Sequence, residues 1–140
     1  MRFFFDTSGW VALLNSSDEL REYALDVWTH LGRARRRIIL TDWVIAETGN
    51  GLARIKREAR FHEVASQMLK SPRVEVVFID RELLDQALDW YARYGDKSWG
   101  LVDCASFALM KACEITDAFT IDQHFRQAGF NCLLSAGKAS

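Results

Sequence analysis

Proline is nearly absent from this chain: Pro72 stands alone, and no stretch is rich in proline or in serine and glycine. There is therefore no candidate linker, low-complexity segment or internal repeat. The 140 residues are expected to form one domain, residues 1–140, large enough to enclose a core without staples. Cysteine is sparse as well. Cys104, Cys113 and Cys132 are odd in number and lack C-x-x-C spacing, which argues against a disulfide framework and against a zinc site. A reducing cytoplasm fits that usage. Nor is there an apolar run approaching the roughly 18 residues of a membrane helix. The opening Met-Arg-Phe-Phe-Phe-Asp is too short an apolar stretch for a signal peptide. A positive excess is missing too: 18 basic against 19 acidic residues leave a net charge of −1. That weighs modestly against non-specific nucleic-acid binding, but leaves room for a local basic patch beside an acidic site.

What the chain does have is a steady alternation of short apolar runs and helical stripes. Arg2 to Phe5 reads as a buried strand opening into a helix over Gly9 to Leu14. Asn15-Ser16-Ser17-Asp18 supplies turn and cap chemistry for a second helix, with Leu20, Ala24, Val27 and Leu31 on one face. After the polar turn Arg33 to Arg37, Ile38-Ile39-Leu40 is a strand. Thr41 and Asp42 suit the N-cap of a long helix whose stripe runs Ile45, Thr48, Leu52, Ile55 and Ala59. Gly49-Asn50-Gly51 also fits a hairpin turn, but the unbroken phase favours a helix that tolerates two glycines at roughly 1 kcal/mol each. Phe61, Val64, Ala65, Met68 and Leu69 mark another helix ending before Pro72, and Val74 to Ile79 a strand. Asp80 caps a helix with Leu83, Leu84, Ala87, Leu88 and Tyr91 on its face, closed by Gly95. Leu101 to Cys113 is apolar nearly all round and so largely enclosed. Ala118 to Ile121 and Phe130 to Leu134 complete the strands, with a short helix over His124 to Ala128 stopped by Gly129. Strands alternating with helices throughout predict an α/β fold, a three-layer α/β/α sandwich on a parallel sheet. Ligands of such sheets bind beyond the carboxyl ends of the strands, where the strand order reverses.

Two acids emerge at that edge if their strands are neighbours: Asp6 after the first strand and Asp122 after the fourth. Glu47 lies in the first two turns of the helix after the second strand, sharing a stripe with Gly51 and Arg54 beside the apolar face. Asp103, in the first turn of the enclosed helix, is the only acid between Leu101 and Met110. Each has a purely structural reading: Asp6 and Asp122 as N-caps, Asp103 as an acid favoured by the helix dipole, Glu47 as an exposed partner of Arg54. Should they converge, two carboxylates about 4 Å apart repel by roughly 4 kcal/mol at an effective dielectric near 20. Such a cluster protonates, pairs with arginine or lysine, or holds a divalent cation, and an all-oxygen set suits Mg²⁺ or Mn²⁺. In-line attack on a phosphodiester is the chemistry that follows.

The segments Phe-Phe-Asp-Thr-Ser-Gly-Trp (Phe4–Trp10), Thr-Asp-Trp-Val-Ile-Ala-Glu-Thr (Thr41–Thr48), Leu-Val-Asp-Cys-Ala-Ser-Phe (Leu101–Phe107) and Ala-Phe-Thr-Ile-Asp-Gln-His-Phe (Ala118–Phe125) stand in order over essentially the whole chain. In this the sequence resembles the PIN-domain family, and within it the VapC-like toxin ribonucleases. The resemblance implies a central five-stranded parallel sheet and an acidic quartet, here Asp6, Glu47, Asp103 and Asp122, holding one or two Mg²⁺ or Mn²⁺ ions for RNA cleavage. It also implies a homodimer and, for many members, a small antitoxin encoded alongside.

Several other residues are weighed against plainer roles. Thr7, Ser8 and Thr120 stand beside the acids, as auxiliary hydroxyls or as cap and strand residues; Asp96 is an outer ligand or a solvated loop acid. Arg54, Arg57 and Arg36 are candidates for phosphate contacts, or members of solvated faces with acidic partners such as Glu58 and Glu63. Trp99 and Trp43 flank acidic positions, for stacking on a base or for packing. His30, His62 and His124 are far apart in sequence and suggest no histidine catalyst. Rival readings are a HAD-like phosphatase, whose Asp-x-Asp-x-Thr is missing its second acid here at Ser8, a receiver domain, and a PIN fold that binds RNA or protein without cutting.

Overall fold

In the computed structural model, which describes residues 1–15, 17, 19–54 and 58–135, five strands form one sheet in the order β3-β2-β1-β4-β5, every pair parallel. The strands are β1 (Arg2–Phe5), β2 (Arg37–Thr41), β3 (Val74–Val77), β4 (Asp117–Phe119) and β5 (Asn131–Cys132). Among the described residues seven helices accompany them: α1 (Thr7–Leu14), α2 (Arg21–Arg33), α3 (Asp42–Ala53), α4 (Glu58–Lys70), α5 (Arg81–Arg93), α6 (Leu101–Ala112) and α7 (Gln123–Gln127). The expected α/β architecture with a five-stranded parallel sheet is what the structure shows. Phe3, Phe4 and Phe5 of the central strand are at most 1% exposed, which is why a run of three aromatics is tolerated there. Phe119, Phe125 and Trp28 close over them through ring contacts of 5.2–6.3 Å. α6 is enclosed as its composition requires, with Cys104 to Met110 all buried.

The chain builds β1, β2 and β3 outward in one direction, then returns to lay β4 and β5 on the other side of β1. The strand order thus reverses between β1 and β4, where the sheet leaves a crevice at its carboxyl edge. Caps fix the connections there. The Thr41 hydroxyl accepts the Val44 N–H at 3.1 Å and starts α3 directly at the end of β2. Asp80 accepts the Leu83 N–H at 2.9 Å, the capping role read for it, and Asp42 accepts the Ile79 N–H at 2.9 Å. α3 runs through Gly49-Asn50-Gly51 as a helix, not a hairpin. It ends at Ala53, however, and Ala59 belongs to α4, so the stripe expected on one helix begins in α3 and finishes in α4; Ile55 lies outside the described residues. A helix crossing explains why Gly49 is tolerated: a Cβ there would lie 3.0 Å from the Phe61 ring of α4. The capping residues expected at Ser16 and Asp18 lie outside the described residues, and α2 begins after Leu20. β4 ends at Phe119, short of the expected Ile121, and β5 is only two residues long.

Candidate active site

A cleft of about 440 Å³ opens at the carboxyl edge between β1 and β4, and Asp6, Glu47, Asp103 and Asp122 all line it. They arrive from four separate places: the end of β1, the second turn of α3, the first turn of α6 and the N-cap of α7. Asp6 is only 4% exposed. It occupies the N-cap position of α1, but its carboxylate makes no capping bond; it faces the cleft floor instead. Asp122 does cap, accepting the His124 N–H at 2.9 Å, and still borders the cleft. Asp103 accepts the Gly100 N–H at 3.3 Å, which pins it at the start of α6.

The hydroxyls flanking these acids are ordered around Asp6. Thr120 donates to Asp6 Oδ2 at 2.8 Å and accepts the Asp122 N–H at 3.0 Å. Ser8 accepts the Ile121 N–H at 2.9 Å and lies 2.8 Å from Thr120 Oγ1 and 3.4 Å from Asp6 Oδ2. Thr120 has one proton and gives it to Asp6, so Ser8 is the donor toward Thr120. Both hydroxyl protons therefore run toward Asp6 and favour its ionised form. Glu47 is held at the exposed rim by Thr7, which donates to Oε1 at 2.7 Å; Thr48 Oγ1 stands 3.1 Å behind Thr7. Thr7, Ser8 and Thr120 thus serve the acids' geometry rather than capping α1.

Burial works against these hydrogen bonds. It pushes the Asp6 carboxyl from 3.8 up to about 7; the Thr120 and Thr7 hydrogen bonds pull it back, and the charges of Asp103 and Asp122 add to the rise. Asp103 is also raised, first by burial and then by the neighbouring Asp122 charge. Among the described residues no lysine or arginine pairs with any of the four acids. Converging carboxylates without a cationic side chain are a donor set that fits a divalent cation, and oxygen donors suit a hard one.

His124 is the member of this site that the sequence did not reveal. Its Nδ1 lies 3.1 Å from Asp103 Oδ2 and 3.4 Å from Asp122 Oδ1. The available signal was its place two residues after Asp122 at a helix start, where the side chain of the second helical residue turns back beside the cap. Other expected residues lie elsewhere. Asp96 is an exposed loop acid beside Lys97 and does not line the cleft. Trp99 is 6% exposed, donates to Gln127 at 3.0 Å and packs on Phe107, Trp90 and Tyr94, so it is a core residue with no face for a base. Arg36 pairs with Asp117 at 2.9 Å and bonds the Arg2 carbonyl at 3.3 Å. Those residues begin strands, which puts Arg36 at the opposite edge of the sheet. Arg54, by contrast, lines a groove that shares Thr7 and Glu47 with the cleft and is continued by Trp43, Asn50 and Val102. The stripe read for Glu47, Gly51 and Arg54 is therefore one wall of this groove. Arg57 lies outside the described residues.

A parallel five-stranded sheet with an acidic cleft at the β1/β4 reversal defines a class, and the sequence agrees with it: residues 3–131 match the PIN domain family, to which this chain belongs. Among its relatives is the 23S rRNA-specific endonuclease VapC20 of Mycobacterium tuberculosis, 31% identical over 128 residues that cover 91% of this chain and 94% of the relative. The crystal structure of VapC20, described as a Sarcin-Ricin loop cleaving toxin, superposes with a TM-score of 0.79 at 30% identity, covering 91% of this chain and 95% of that one. The fold is also shared with VapBC2 from Rickettsia felis, at TM-score 0.65, 16% identity and coverage of 94% and 96%. FitAcB from Neisseria gonorrhoeae gives a TM-score of 0.58 at 19% identity, with the same coverage. No helix among the described residues is long and apolar enough to cross a membrane.

Proposed function

We propose that this chain, as one PIN-like domain over residues 1–140, is a Mg²⁺- or Mn²⁺-dependent endoribonuclease and the toxin of a cytoplasmic toxin–antitoxin pair, with Asp6, Glu47, Asp103 and Asp122 as its catalytic and cation-holding carboxylates. The observation that carries this reading is the meeting of four acids from four segments around one cleft with no lysine or arginine among them. Its kinship with a ribosomal-RNA endonuclease gives the substrate class. When bound, the cation supplies charge neutralisation for the scissile phosphate and lowers the pKa of the attacking water. The chain's own contribution is placement. Thr120, backed by Ser8, holds Asp6 rigid at the cleft floor, and Thr7 orients Glu47 at the rim, where it takes the proton from the incoming water. Water attacks phosphorus in line with the 3′ oxygen, the P–O3′ bond breaks, and the departing 3′ oxygen takes a proton from solvent, so that the products carry a 5′-phosphate and a 3′-hydroxyl.

Inducible expression of the wild type is expected to arrest growth and to leave discrete RNA fragments with 5′-phosphate ends, mapped by ligation-dependent end sequencing. Glu47→Gln, folded to the same Tm, is expected to do neither. Fragments bearing 2′,3′-cyclic phosphates in the wild type would overturn the hydrolytic route. Arg54, exposed on the groove beyond Glu47, is placed to meet a backbone phosphate. Arg54→Ala is expected to raise KM for RNA about threefold to tenfold with kcat nearly unchanged, and to lower the salt slope of binding by about one. Co-expression of a small antitoxin encoded next to the gene is expected to restore growth. Leu88 and Tyr91, exposed one turn apart on α5, offer an apolar surface for a homodimer, checked by light scattering.

A further inference from the structure

We infer that His124 is a nitrogen ligand of the cation in this cleft, making a mixed oxygen–nitrogen subsite with Asp103 and Asp122 that favours Mn²⁺ over Mg²⁺. The inference rests on the cation-dependent reading above and adds a donor to it. One ligand atom from each of Asp103, Asp122 and His124 lies within 4.8 Å of the other two, close enough to surround a single ion. His124 Nδ1 already points at both carboxylates, at 3.1 Å and 3.4 Å. Its backbone N–H holds Asp122 Oδ1 at 2.9 Å, so the imidazole and its neighbouring carboxylate are set by the same turn of α7.

The far side of the ring supplies a second, independent indication. His124 Nε2 lies 3.2 Å from Ser98 Oγ, in the loop before α6. A histidine that ligates through one nitrogen needs its proton on the other, and a hydrogen-bond acceptor there fixes both tautomer and ring plane. Without a cation Nδ1 is placed to donate to Asp103; when a cation takes that position the proton moves to Nε2, and Ser98 Oγ stands where it accepts it. With the proton on Nε2, the Nδ1 lone pair faces Asp103 and Asp122. Mn²⁺ accepts an imidazole nitrogen in place of one oxygen more readily than Mg²⁺, which demands oxygen ligands in near-ideal octahedral geometry and keeps several waters. Asp6 and Glu47 line the same cleft and bring oxygen donors only.

Pulsed electron paramagnetic resonance of Mn²⁺ bound to the wild-type protein tests this without any variant: a ¹⁴N modulation from a directly coordinated imidazole is expected. Calorimetric titrations then compare the ions. His124→Gln is expected to lose at least ~10-fold in Mn²⁺ affinity and to abolish the ¹⁴N signal, with Mg²⁺ affinity changed less than about threefold. Ser98→Ala is expected to lose Mn²⁺ affinity in the same direction, by about 10-fold, as outer hydrogen-bond partners of ligands do. Mn²⁺ bound without ¹⁴N coupling, or equal losses for both ions, would overturn the inference while leaving the carboxylate site intact. Failure of the wild type to bind either ion would remove this inference and the proposed function together.

Discussion

Asp6→Asn is expected to abolish RNA cleavage, by at least ~1000-fold, while making the cation-free protein more stable. The two effects have one cause. Asp6 is buried beneath a cluster of other acids, and that environment raises its pKa from 3.8 to about 7. Below about pH 3 the carboxyl is protonated in folded and unfolded chains alike, and burial carries no ionic cost. Between pH 3.8 and about 7 the unfolded chain ionises while the folded one holds its proton, so stability falls as the pH rises. Above that window the cost is complete, and a displacement of this size corresponds to roughly 4 kcal/mol. Asparagine keeps an oxygen for Thr120 but leaves the Thr7 N–H facing an amide, so the recoverable part is on the order of 2 kcal/mol. In differential scanning calorimetry Asp6→Asn should gain about 5 °C in Tm at pH 8 and almost nothing at pH 3. Saturating Mn²⁺ should close the gap by stabilising the wild type selectively. An Asp6→Asn protein less stable than the wild type at pH 8 would contradict the burial argument, whatever its activity.

Gly9→Ala should be among the most damaging single-methyl additions in the molecule. Gly9 sits in the first turn of α1, where the helix crosses the end of β4. A Cβ there would come to 2.3 Å from the Phe119 carbonyl oxygen and 2.5 Å from its ring. The ring has no room to move, because Phe119 is fully buried against Phe3, Phe5 and Trp28, and the carbonyl is part of the strand. Relief requires α1 to lift away from β4. That separates Asp6 from the Phe119 carbonyl it meets at 3.4 Å, and Ser8 from Thr120 and Ile121. The variant is expected to lose 3 kcal/mol or more, with a Tm lower by about 10 °C, or to fail to accumulate as folded protein. Gly32→Ala is the control. It lies in α2 with nothing within 4 Å of the added carbon, and it should gain up to about 1 kcal/mol. If thermal melts of both variants matched the wild type, the tight seating of α1 on β4 would be wrong.

Much of the site was legible because its parts lie next to strong local signals. The aromatic run Phe3–Phe5 and the acid after it need only a buried strand and a parallel sheet to place Asp6 at the carboxyl edge. The apolar girdle of α6 made Asp103 conspicuous as its lone acid. What the sequence could not supply was adjacency. That β4 lies against β1 is a property of the returning chain, and only this pairing brings Thr120 onto Asp6. His124 went unread for a related reason: its three hydrogen-bonding neighbours come from α6, the loop before it and the α7 cap. Arg36 and Trp99 were attractive for their residue types, but type does not say which edge of the sheet a guanidinium reaches or whether an indole is covered. Arg36 sits at the amino edge with Asp117, and Trp99 is covered by α5 and α6 aromatics. The division between α3 and α4 was hidden because apolar residues keep helical spacing in the sequence from Ile45 to Ala59.

The most direct measurement is single-turnover cleavage of a ribosomal-RNA fragment by purified wild-type protein, first stripped with EDTA and then titrated with Mn²⁺. No cleavage after stripping, with full recovery as Mn²⁺ rises through the micromolar-to-millimolar range, is the expected result. Cleavage that survives chelation undiminished would contradict a cation-dependent carboxylate site.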